Sequence, residues 1–443
     1  MDAFVSRKRR REAFSQSTLD AQDEESTDLK LTLLASLHPE LAPDVLLDAL
    51  LLAEGSVERA SEAISGQRTA APPKKLVKTI GYQCSIMGLI KSGTVDGDGN
   101  AIKPLTKRGK TFYLYSPEDI EKHTPCSIIH NFLPSAQADA LLRELLGEAS
   151  SFKRETFQLF DKTVESPHSM AFYVDSLQQE RAQRTEYVYN GSYISDIRRT
   201  LPEMLAVSTK VRDAVNSEIQ RRIKTFYHEG KKLKYQSPHE WVPNASFVNC
   251  YDGGAESVGY HSDQLTYLGP RAVIGSLSLG VAREFRVRQV VPQDGDETSA
   301  NATADAQGQI SIHLPHNSLL VMHAEMQETW KHAVAPAPAI DPHPVAGSKR
   351  INVTYRCYKE SLHPRFTPKC RCGIPTVLRC VQKKKENRGR YMWMCHAGYT
   401  PGRKGCTFFR WAEFDDDGEP PWAIKVDGRK GSGHEDLTRS EDD

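Results

Sequence analysis

The sequence predicts an α+β fold whose main domain has a β-sandwich or jelly-roll core, with a small module on either side. Helical patterns at 135–148 and 201–226 precede most of the strand patterns. The strands alternate apolar and polar residues and fall at 246–251, 272–279, 284–290, 310–314 and 351–358. Strands that gather after helices are typical of α+β domains in which sheets enclose the core. We therefore place the main domain at 111–360.

Length and composition limit the other possibilities. With 443 residues, 39% of them hydrophobic, and 58 Lys+Arg against 57 Asp+Glu, the chain is long enough for two to four domains of about 150 residues each. We find no run of about 18 apolar residues and no signal-peptide pattern, so we expect a soluble intracellular protein without membrane association. The basic run at 7–11 is either a nuclear-import signal or part of a disordered arm, and on the first interpretation we expect the protein in the nucleus.

Three segments are predicted before the main domain. Residues 1–26 are expected to be a disordered basic and polar arm, 27–66 carry three short helical patterns, and 67–110 are a linker rich in Pro, Gly and Lys. With Leu37-His38-Pro39 at its first turn, the helical segment resembles the CUE ubiquitin-binding domain, whose motif is substituted in the middle here. The resemblance implies ubiquitin as a partner. A bundle that only packs or docks another protein is the alternative.

Three residues of the main domain have the side chains and the spacing of a metal site. His261 and Asp263 stand at i and i+2, so the end of a strand directs both to one face. His332 follows 71 residues later, where another strand can return to the same place. Two His and one carboxylate that leave other positions open are the ligand set of non-haem Fe(II) oxygenases. Taken alone, the His-x-Asp pair is also compatible with a surface His beside a solvated Asp.

The strand at 350–356 adds a candidate anion site. Its alternation directs four polar side chains to one face, namely Arg350, Asn352, Thr354 and Arg356. Two buried Arg and an Asn cost several kcal/mol unless anions match them, and a dicarboxylate would match them. Asn249 and Tyr251 share one face of an earlier strand and add hydrogen-bonding groups. An exposed, salt-bridged strand is the alternative, but it does not explain the apolar opposite face.

Over about residues 112–360 these motifs resemble the AlkB family of Fe(II)- and 2-oxoglutarate-dependent dioxygenases. The matching segments are Asn249-Cys250-Tyr251, His261-Ser262-Asp263, Ser276-Leu277-Ser278-Leu279-Gly280 with Arg283-Glu284-Phe285, His332 and the Arg-x-Asn-x-Thr-x-Arg strand. The resemblance implies a double-stranded β-helix flanked by helices. It implies that Fe(II) is held by the catalytic residues His261, Asp263 and His332. It also implies that 2-oxoglutarate is held by Arg350, Tyr251 and Asn352 at one carboxylate, and by Arg356 and Asn249 near the metal.

The same resemblance implies the reaction. Family members oxidise N-methyl groups on nucleic-acid bases and release formaldehyde, succinate and CO2, so we expect DNA repair of N1-methyladenine or N3-methylcytosine. Family members also clamp an extruded base with a mobile aromatic segment, and here Tyr173 and Tyr187 are the candidates for stacking on it. After the His-x-Asp motif the family often has acidic residues. This chain has Gln264-Leu265 instead, so base preference cannot be carried over.

Residues 366–415 are predicted to form a zinc module. Five of the nine Cys fall within 37 positions, and four of these thiolates suffice for a tetrahedral Zn(II) site, namely Cys370, Cys372, Cys395 and Cys406. A segment of about fifty residues needs such a metal in place of a large core. Gly389-Arg390-Tyr391-Met392-Trp393-Met394-Cys395 and Cys406-Thr407-Phe408-Phe409-Arg410-Trp411 resemble the GRF zinc finger, with Met392 and Trp393 replacing the usual Phe and Tyr.

The GRF family binds single-stranded DNA, and the charge distribution agrees with that role. Residues 365–414 hold 12 Lys/Arg and 2 Asp/Glu, whereas 415–443 hold 4 and 10, and a basic face is the footprint of a polyanion partner. Phosphate contacts are predicted for Lys383, Lys384, Lys385, Arg388 and Arg390, and base stacking for Tyr391 or Trp393. A solvated basic surface around a structural zinc is the alternative. Residues 416–443 are predicted to be an acidic disordered tail.

Taken together, these motifs predict an enzyme that oxidatively demethylates bases in nucleic acid, with the finger directing it to single-stranded DNA. An RNA base demethylase is the second possibility. The third is a scaffold that links ubiquitin to DNA around an inert dioxygenase domain, although every position for iron and 2-oxoglutarate is filled.

Overall fold

A computed structural model of the chain divides into two units, Met1–Lys103 and Pro104–Asp443. The structure describes residues 38, 46, 49, 50, 53, 57–67, 110–159, 162–189, 192–194, 196–292 and 308–423. The predicted basic arm, residues 68–109 of the predicted linker, residues 293–307 and the chain after 423 lie outside these residues. Within the described part of the chain, no helix has the length and apolar character needed to cross a bilayer.

The N-terminal unit is described through one helix, α1 (Val57–Gln67), and a few residues before it. Its small core consists of Leu46, Leu50, Ala53 and Ala60. His38, from the motif that resembles a CUE domain, places its Nε2 atom 2.8 Å from Ser61 Oγ. The other two predicted helices lie largely outside the described residues, so the three-helix bundle stays a prediction.

The second unit contains the remaining elements. Its helices are α2 (Pro117–His123), α3 (Ser135–Ala149), α4 (Leu177–Thr185), α5 (Pro202–Phe226) and α6 (Met326–Thr329). Its strands are β1 (Thr111–Leu114), β2 (Cys126–His130), β3 (Thr156–Leu159), β4 (Lys162–Glu165), β5 (Ser169–Val174), β6 (Val188–Tyr189), β7 (Ser192–Tyr193), β8 (Ile197–Arg199), β9 (Ala245–Asp252), β10 (Val258–His261), β11 (Ile274–Gly280), β12 (Arg283–Gln289), β13 (Gln309–Leu314), β14 (Ser318–Met322), β15 (Trp330–Val334), β16 (Lys349–Arg356), β17 (Val377–Cys380), β18 (Tyr391–Met394) and β19 (Phe409–Ala412).

Two sheets form the predicted jelly roll. The larger has the order β2-β14-β11-β16-β9-β5-β8, and the smaller has the order β1-β13-β12-β15-β10. The sheets approach each other at Asp263, which contacts Arg356 of the larger sheet and His332 of the smaller one. Strands β16 and β9 pair antiparallel with Arg350 opposite Tyr251 and Asn352 opposite Asn249. The register therefore brings both candidate anion-binding strands into one site.

Helices α3 and α5 cover the outer face of the larger sheet. The apolar residues of β16, Ile351, Val353 and Tyr355, belong to the same buried cluster as Leu142 of α3 and Val211 of α5. This leaves the polar residues of β16 for the inner face, as the two-residue alternation predicts. Burial on one face fixes the strand register, because a slip of one residue would exchange the two sets of side chains.

The zinc module packs on the jelly roll as part of the same unit. Trp393 of β18 is only 1% exposed, and its ring centroid lies 6.2 Å from that of Trp422. The Trp422 indole N–H donates to Ser361 O (2.7 Å), and Tyr235 N donates to Asp416 O (2.9 Å). The prediction of a disordered tail is therefore wrong for residues 416–423, because Asp416 and Trp422 form hydrogen bonds with residues before the finger.

Candidate active site and zinc centre

The three predicted iron ligands meet at one place. His261 and Asp263 lie at and just after the end of β10, and His332 lies on β15, paired directly with His261. The candidate ligand atoms of the three residues lie within 4.8 Å of one another. Asp263 Oδ1 is 3.5 Å from His261 Nε2 and 3.6 Å from His332 Nε2. The arrangement provides one face of donors for a metal and leaves the opposite side to other ligands.

Hydrogen bonds around this triad favour metal binding. His261 Nδ1 lies 2.8 Å from Gly259 O, which assigns the ring proton to Nδ1 and leaves the Nε2 lone pair for a metal. Arg356 Nη2 donates to Asp263 Oδ2 (2.9 Å), so Oδ1 faces the two imidazoles. Burial raises the pKa of Asp263, but Arg356 and the two His outweigh it and lower that pKa well below its ordinary value. The carboxylate is thus ionised and oriented, as an iron ligand must be.

Arg350 has the environment of an anion-binding residue. Its side chain is buried, and Nη2 donates to Ser278 Oγ (2.8 Å). Among the described residues, none accepts a hydrogen bond from its buried Nε and Nη1 atoms. Burial lowers the pKa of Arg350 to about 10. A buried guanidinium with two donor atoms that lack acceptors is costly, and a carboxylate is the charged acceptor that would match it. The residue fits the distal carboxylate of 2-oxoglutarate.

Tyr251 and His168 line the same site. The Tyr251 ring lies 5.3 Å from Arg350 Cζ and stacks on His168 at 4.7 Å. Burial lowers the pKa of His168 to about 4, so this imidazole is neutral at physiological pH. Sequence reasoning missed His168, because a lone His in a Pro-His-Ser segment has no spacing that singles it out. Only its stacking on Tyr251 identifies it.

The two predicted Asn contacts differ from one another. Asn352 donates both amide hydrogens within the sheet, to Ser276 Oγ (2.8 Å) and Leu277 O (3.1 Å). Its Oδ1 accepts from Thr354 Oγ1 (3.2 Å). In this structure Asn352 therefore stabilises β11 and β16, which corrects its prediction as a direct 2-oxoglutarate contact. Asn249 is half-buried beside His168, where its role as a ligand contact stays a prediction.

The two predicted stacking tyrosines are placed differently from one another. Tyr173 is fully buried in the main core, with its ring 6.5 Å from Phe152, so it has no face for a base. Its assignment as a stacking residue is corrected on this ground. Tyr187 is also largely buried, but it lines a surface cleft of about 600 Å³ next to Tyr358 and His363. Its stacking role stays a prediction.

Four thiolates form the predicted zinc centre. The Sγ atoms of Cys370, Cys372, Cys395 and Cys406 lie within 4.8 Å of one another. The Cys372 and Cys395 sulfurs are 3.9 Å apart, which matches the separation of about 3.8 Å expected for tetrahedral Zn–S bonds of about 2.3 Å. The N–H groups of Ala397 and Cys406 both point to Cys395 Sγ, which stabilises a thiolate. Cys380 lies apart from this group, and burial raises its pKa to about 12.

A second cluster of similar composition, Asp139, His316 and His343, has the wrong proton arrangement for a metal. Its candidate ligand atoms also lie within 4.8 Å of one another. However, His316 Nδ1 accepts from Gly280 N (3.0 Å), and His343 Nδ1 accepts from Val345 N (3.2 Å). Each neutral ring must then carry its proton on Nε2, and for His316 this is the atom that lies 3.8 Å from Asp139 Oδ1. We interpret this cluster as a hydrogen-bonded surface group.

A jelly roll that holds two His and one carboxylate beside a buried Arg defines the class of Fe(II)- and 2-oxoglutarate-dependent oxygenases. A family profile described as "2OG-Fe(II) oxygenase superfamily" matches residues 125–356, more than half of the chain. The chain belongs to this superfamily. A second profile, the GRF zinc finger, matches residues 368–415, so the C-terminal module is a GRF finger. Fe(II), 2-oxoglutarate and Zn(II) are the corresponding cofactors.

Within this superfamily, the chain is similar in sequence to curated proteins of the AlkB type. It is 33% identical over 115 residues to rat "Alpha-ketoglutarate-dependent dioxygenase alkB homolog 3". This alignment covers 26% of this chain and 35% of the rat protein. It is 26% identical over 223 residues to mouse "DNA oxidative demethylase ALKBH2", covering 50% and 75%. It is 30% identical over 132 residues to Arabidopsis thaliana "RNA demethylase ALKBH9B", covering 30% and 22%. The chain thus spans about a third of the length of the alkB homolog 3 relatives that it matches.

Proposed function

We propose that this protein is an AlkB-type demethylase that removes N-methyl groups from nucleic-acid bases and releases formaldehyde, succinate and CO2. The observation that carries the proposal is the meeting of the His261, Asp263 and His332 donors with the buried, half-satisfied Arg350 between two sheets. The names of the relatives support the nucleic-acid substrate. Bound iron, together with 2-oxoglutarate and O2, would supply the oxidising power for hydroxylating the methyl carbon.

The protein's own groups bind and orient the reactants. Arg350 would hold one carboxylate of 2-oxoglutarate through its buried donors. Arg356 neutralises Asp263 Oδ2 and keeps Oδ1 directed to the metal. The His332 side chain is 6% exposed and that of His261 is 40% exposed, so the site is closed on the β15 side and open at His261. We infer that the base enters from the open side.

We propose that the outer face of the GRF finger binds single-stranded DNA. Tyr391 and Trp393 are buried against the jelly roll, so the sequence-based prediction that they stack on bases is wrong. Phe409 and Trp411 of the neighbouring strand β19 take their place as candidates for base stacking. Phe409 is 51% exposed, its ring centroid lies 5.0 Å from that of Trp411, and the Arg390 guanidinium lies 3.7 Å from the Trp411 ring centroid. An aromatic pair of one exposed and one half-buried ring, with an adjacent cation, is a stacking surface for unpaired bases.

The basic residues of the finger divide into two groups. Lys383, Lys384 and Lys385 are exposed and remain candidates for phosphate contacts. Arg388 instead donates through Nη2 to Val290 O of the jelly roll (2.9 Å). Its predicted phosphate contact is therefore replaced by a contact that docks the finger.

Formaldehyde release is the direct test of the proposed reaction. Full-length protein is incubated with single-stranded DNA that carries N1-methyladenine or N3-methylcytosine, in the presence of Fe(II), 2-oxoglutarate and O2. Formaldehyde should appear with the wild type and require all three additions, and it should be absent with His261→Ala. Conversion of 2-oxoglutarate to succinate without formaldehyde from any methylated base would contradict the proposal. Absence of both products from iron-loaded protein would favour a scaffold.

RNA is the second candidate substrate, and the relative named as an RNA demethylase is the reason to test it. Matched DNA and RNA strands of one sequence and one methylated base separate the two possibilities. We expect faster turnover of the DNA strand, because the GRF finger family is associated with single-stranded DNA. A preference for the RNA strand would assign the enzyme to RNA. Nuclear localisation, from the basic run at 7–11, and ubiquitin binding, from 27–66, stay predictions.

A further inference from the structure

The GRF finger forms hydrogen bonds with the two segments that carry the proposed iron ligands. One is the turn at His261, Ser262 and Asp263, and the other is α6, which leads directly into β15 and His332. Family resemblance predicts a finger that delivers nucleic acid, and such a finger needs no contact with the iron site. The contacts described below therefore need a separate explanation.

Gln382 makes the first contact. Its Nε2 donates one hydrogen to Ser262 Oγ (2.9 Å) and the other to Gln327 O of α6 (2.8 Å). Ser262 Oγ in turn donates to Trp330 O (3.0 Å), at the start of β15. Ser262 lies between the two ligands His261 and Asp263 in the sequence. One amide of the finger thus connects both ligand-bearing segments.

Gln327 connects Gln382 to Asp263, one of the proposed iron ligands. Its side chain is buried, and its Oε1 accepts from the backbone N–H of Asp263 (2.7 Å). The Gln382 side chain holds the Gln327 main chain, and the Gln327 side chain holds the Asp263 main chain. A displacement of Gln382 is therefore transmitted to the Asp263 carboxylate through two hydrogen bonds.

Glu328 makes a second contact with the finger. Its Oε1 accepts from Tyr391 OH of β18 (2.9 Å) and from Arg271 N (2.8 Å). The Glu328 side chain is buried beneath the finger, and burial raises its pKa. Loss of the phenol donor would leave Oε1 of this buried carboxyl with Arg271 N as its remaining donor among the described residues, which weakens the hydrogen bonding of a buried group. The finger thus contributes a hydrogen bond to α6, the helix that precedes His332.

We propose that the GRF finger is a structural part of the iron site and that Gln382 is a positioning residue for the iron ligands. The zinc-stabilised finger holds Ser262 and α6, and these hold the ligands in the geometry that iron requires. Groups that orient metal ligands commonly contribute 10- to 100-fold to metal affinity, and a more remote group contributes less. The proposal rests on the assignment of iron to the triad and not on the identity of the methylated base.

Metal affinity tests the proposal without turnover. Mn(II) binding to zinc-loaded, full-length protein is titrated by electron paramagnetic resonance, because Mn(II) prefers carboxylate and imidazole ligands and leaves thiolate sites to zinc. Gln382→Leu keeps the size of the side chain and removes its donors. We expect Mn(II) to bind about 3- to 10-fold more weakly, with zinc content unchanged. Gln220→Leu, an exposed glutamine of α5, is the matched control and should bind as the wild type does.

A second variant tests the other contact between the finger and α6, so the result does not depend on Gln382→Leu alone. Tyr391→Phe removes only the hydroxyl that Glu328 accepts, and it should also weaken Mn(II) binding with zinc retained. Wild-type Mn(II) affinity in both Gln382→Leu and Tyr391→Phe would overturn the proposal. An equal loss in Gln220→Leu would overturn it as well, because the effect would then be unrelated to the finger.

Discussion

At the scale of single residues, the site depends on guanidinium groups in two different states. Arg356 is paired with Asp263, whereas Arg350 keeps buried donors without a partner among the described residues. The first orients Asp263, a proposed iron ligand, and the second has buried donors that the carboxylate of a bound dicarboxylate would satisfy. Both functions use the planar fork of Arg, which the single ammonium of Lys does not reproduce.

Arg350→Lys should therefore weaken 2-oxoglutarate binding while leaving metal binding intact. Replacing a bidentate charged pair by a single contact removes about 1.5–3 kcal/mol, so the dissociation constant should rise about 10- to 100-fold. Titration of the Mn(II)-loaded protein with 2-oxoglutarate measures the change. Lys349→Ala, at the exposed neighbouring position, is the control and should bind 2-oxoglutarate normally. An unchanged affinity in Arg350→Lys would assign the carboxylate to another residue.

At the scale of secondary-structure elements, α3 and α5 pack on the larger sheet, which carries part of the site. Val207, Val211 and Val215 recur at four-residue intervals on α5 and are fully buried. Gly275 of β11 permits their close approach, since a Cβ there would lie 3.1 Å from Val215 Cγ2. The packing of these helices therefore sets the position of β16 and its two arginines.

Leu142→Ala in α3 should destabilise the dioxygenase domain by about 2–5 kcal/mol, because it leaves a cavity in this helix–sheet interface. Urea unfolding followed by tryptophan fluorescence gives the free energy of unfolding. Leu205→Ala is the matched control, since this leucine of α5 is 56% exposed and its loss should change that free energy by less than about 0.5 kcal/mol. Equal effects at the two positions would contradict the packing described.

At the scale of the whole molecule, the described part of the second unit is one body in which the finger, residues 416–423 and the jelly roll share an interface. The inner face of the finger sheet docks through Tyr391 and Trp393, and the outer face presents Phe409 and Trp411. The face that we propose to bind nucleic acid is therefore held at a fixed position relative to the proposed iron site.

Phe409→Ala should weaken binding of single-stranded DNA by about 1–3 kcal/mol, which is the contribution of one base–aromatic stack. The salt dependence of binding should stay as in the wild type, because no phosphate contact is lost. Fluorescence anisotropy with a labelled oligonucleotide at several salt concentrations measures both quantities. Tyr115→Ala, an exposed aromatic elsewhere on the domain, is the control. Wild-type affinity in Phe409→Ala would exclude this face as the stacking surface.

The sequence by itself determined the jelly roll, the iron triad, the two arginines and the four zinc thiolates. The two-residue alternation of a strand predicted that Arg350 and Arg356 share a face, and ligand spacing made His261, Asp263 and the cysteines candidates. Family resemblance then assigned iron to the triad that includes His332 and 2-oxoglutarate to the arginines. The observed strands β9, β11, β12, β13 and β16 lie within two residues of their predicted bounds.

Only the tertiary structure decided which aromatic residues are accessible and which polar groups meet. Tyr173, Tyr391 and Trp393 alternate in strands as surface residues also do, and their burial depends on the helices and domains that cover them. Gln382 and Ser262 are 120 positions apart, and no local pattern relates them. Local periodicity records which face a residue is on, whereas contact between distant segments is set by how the two domains pack.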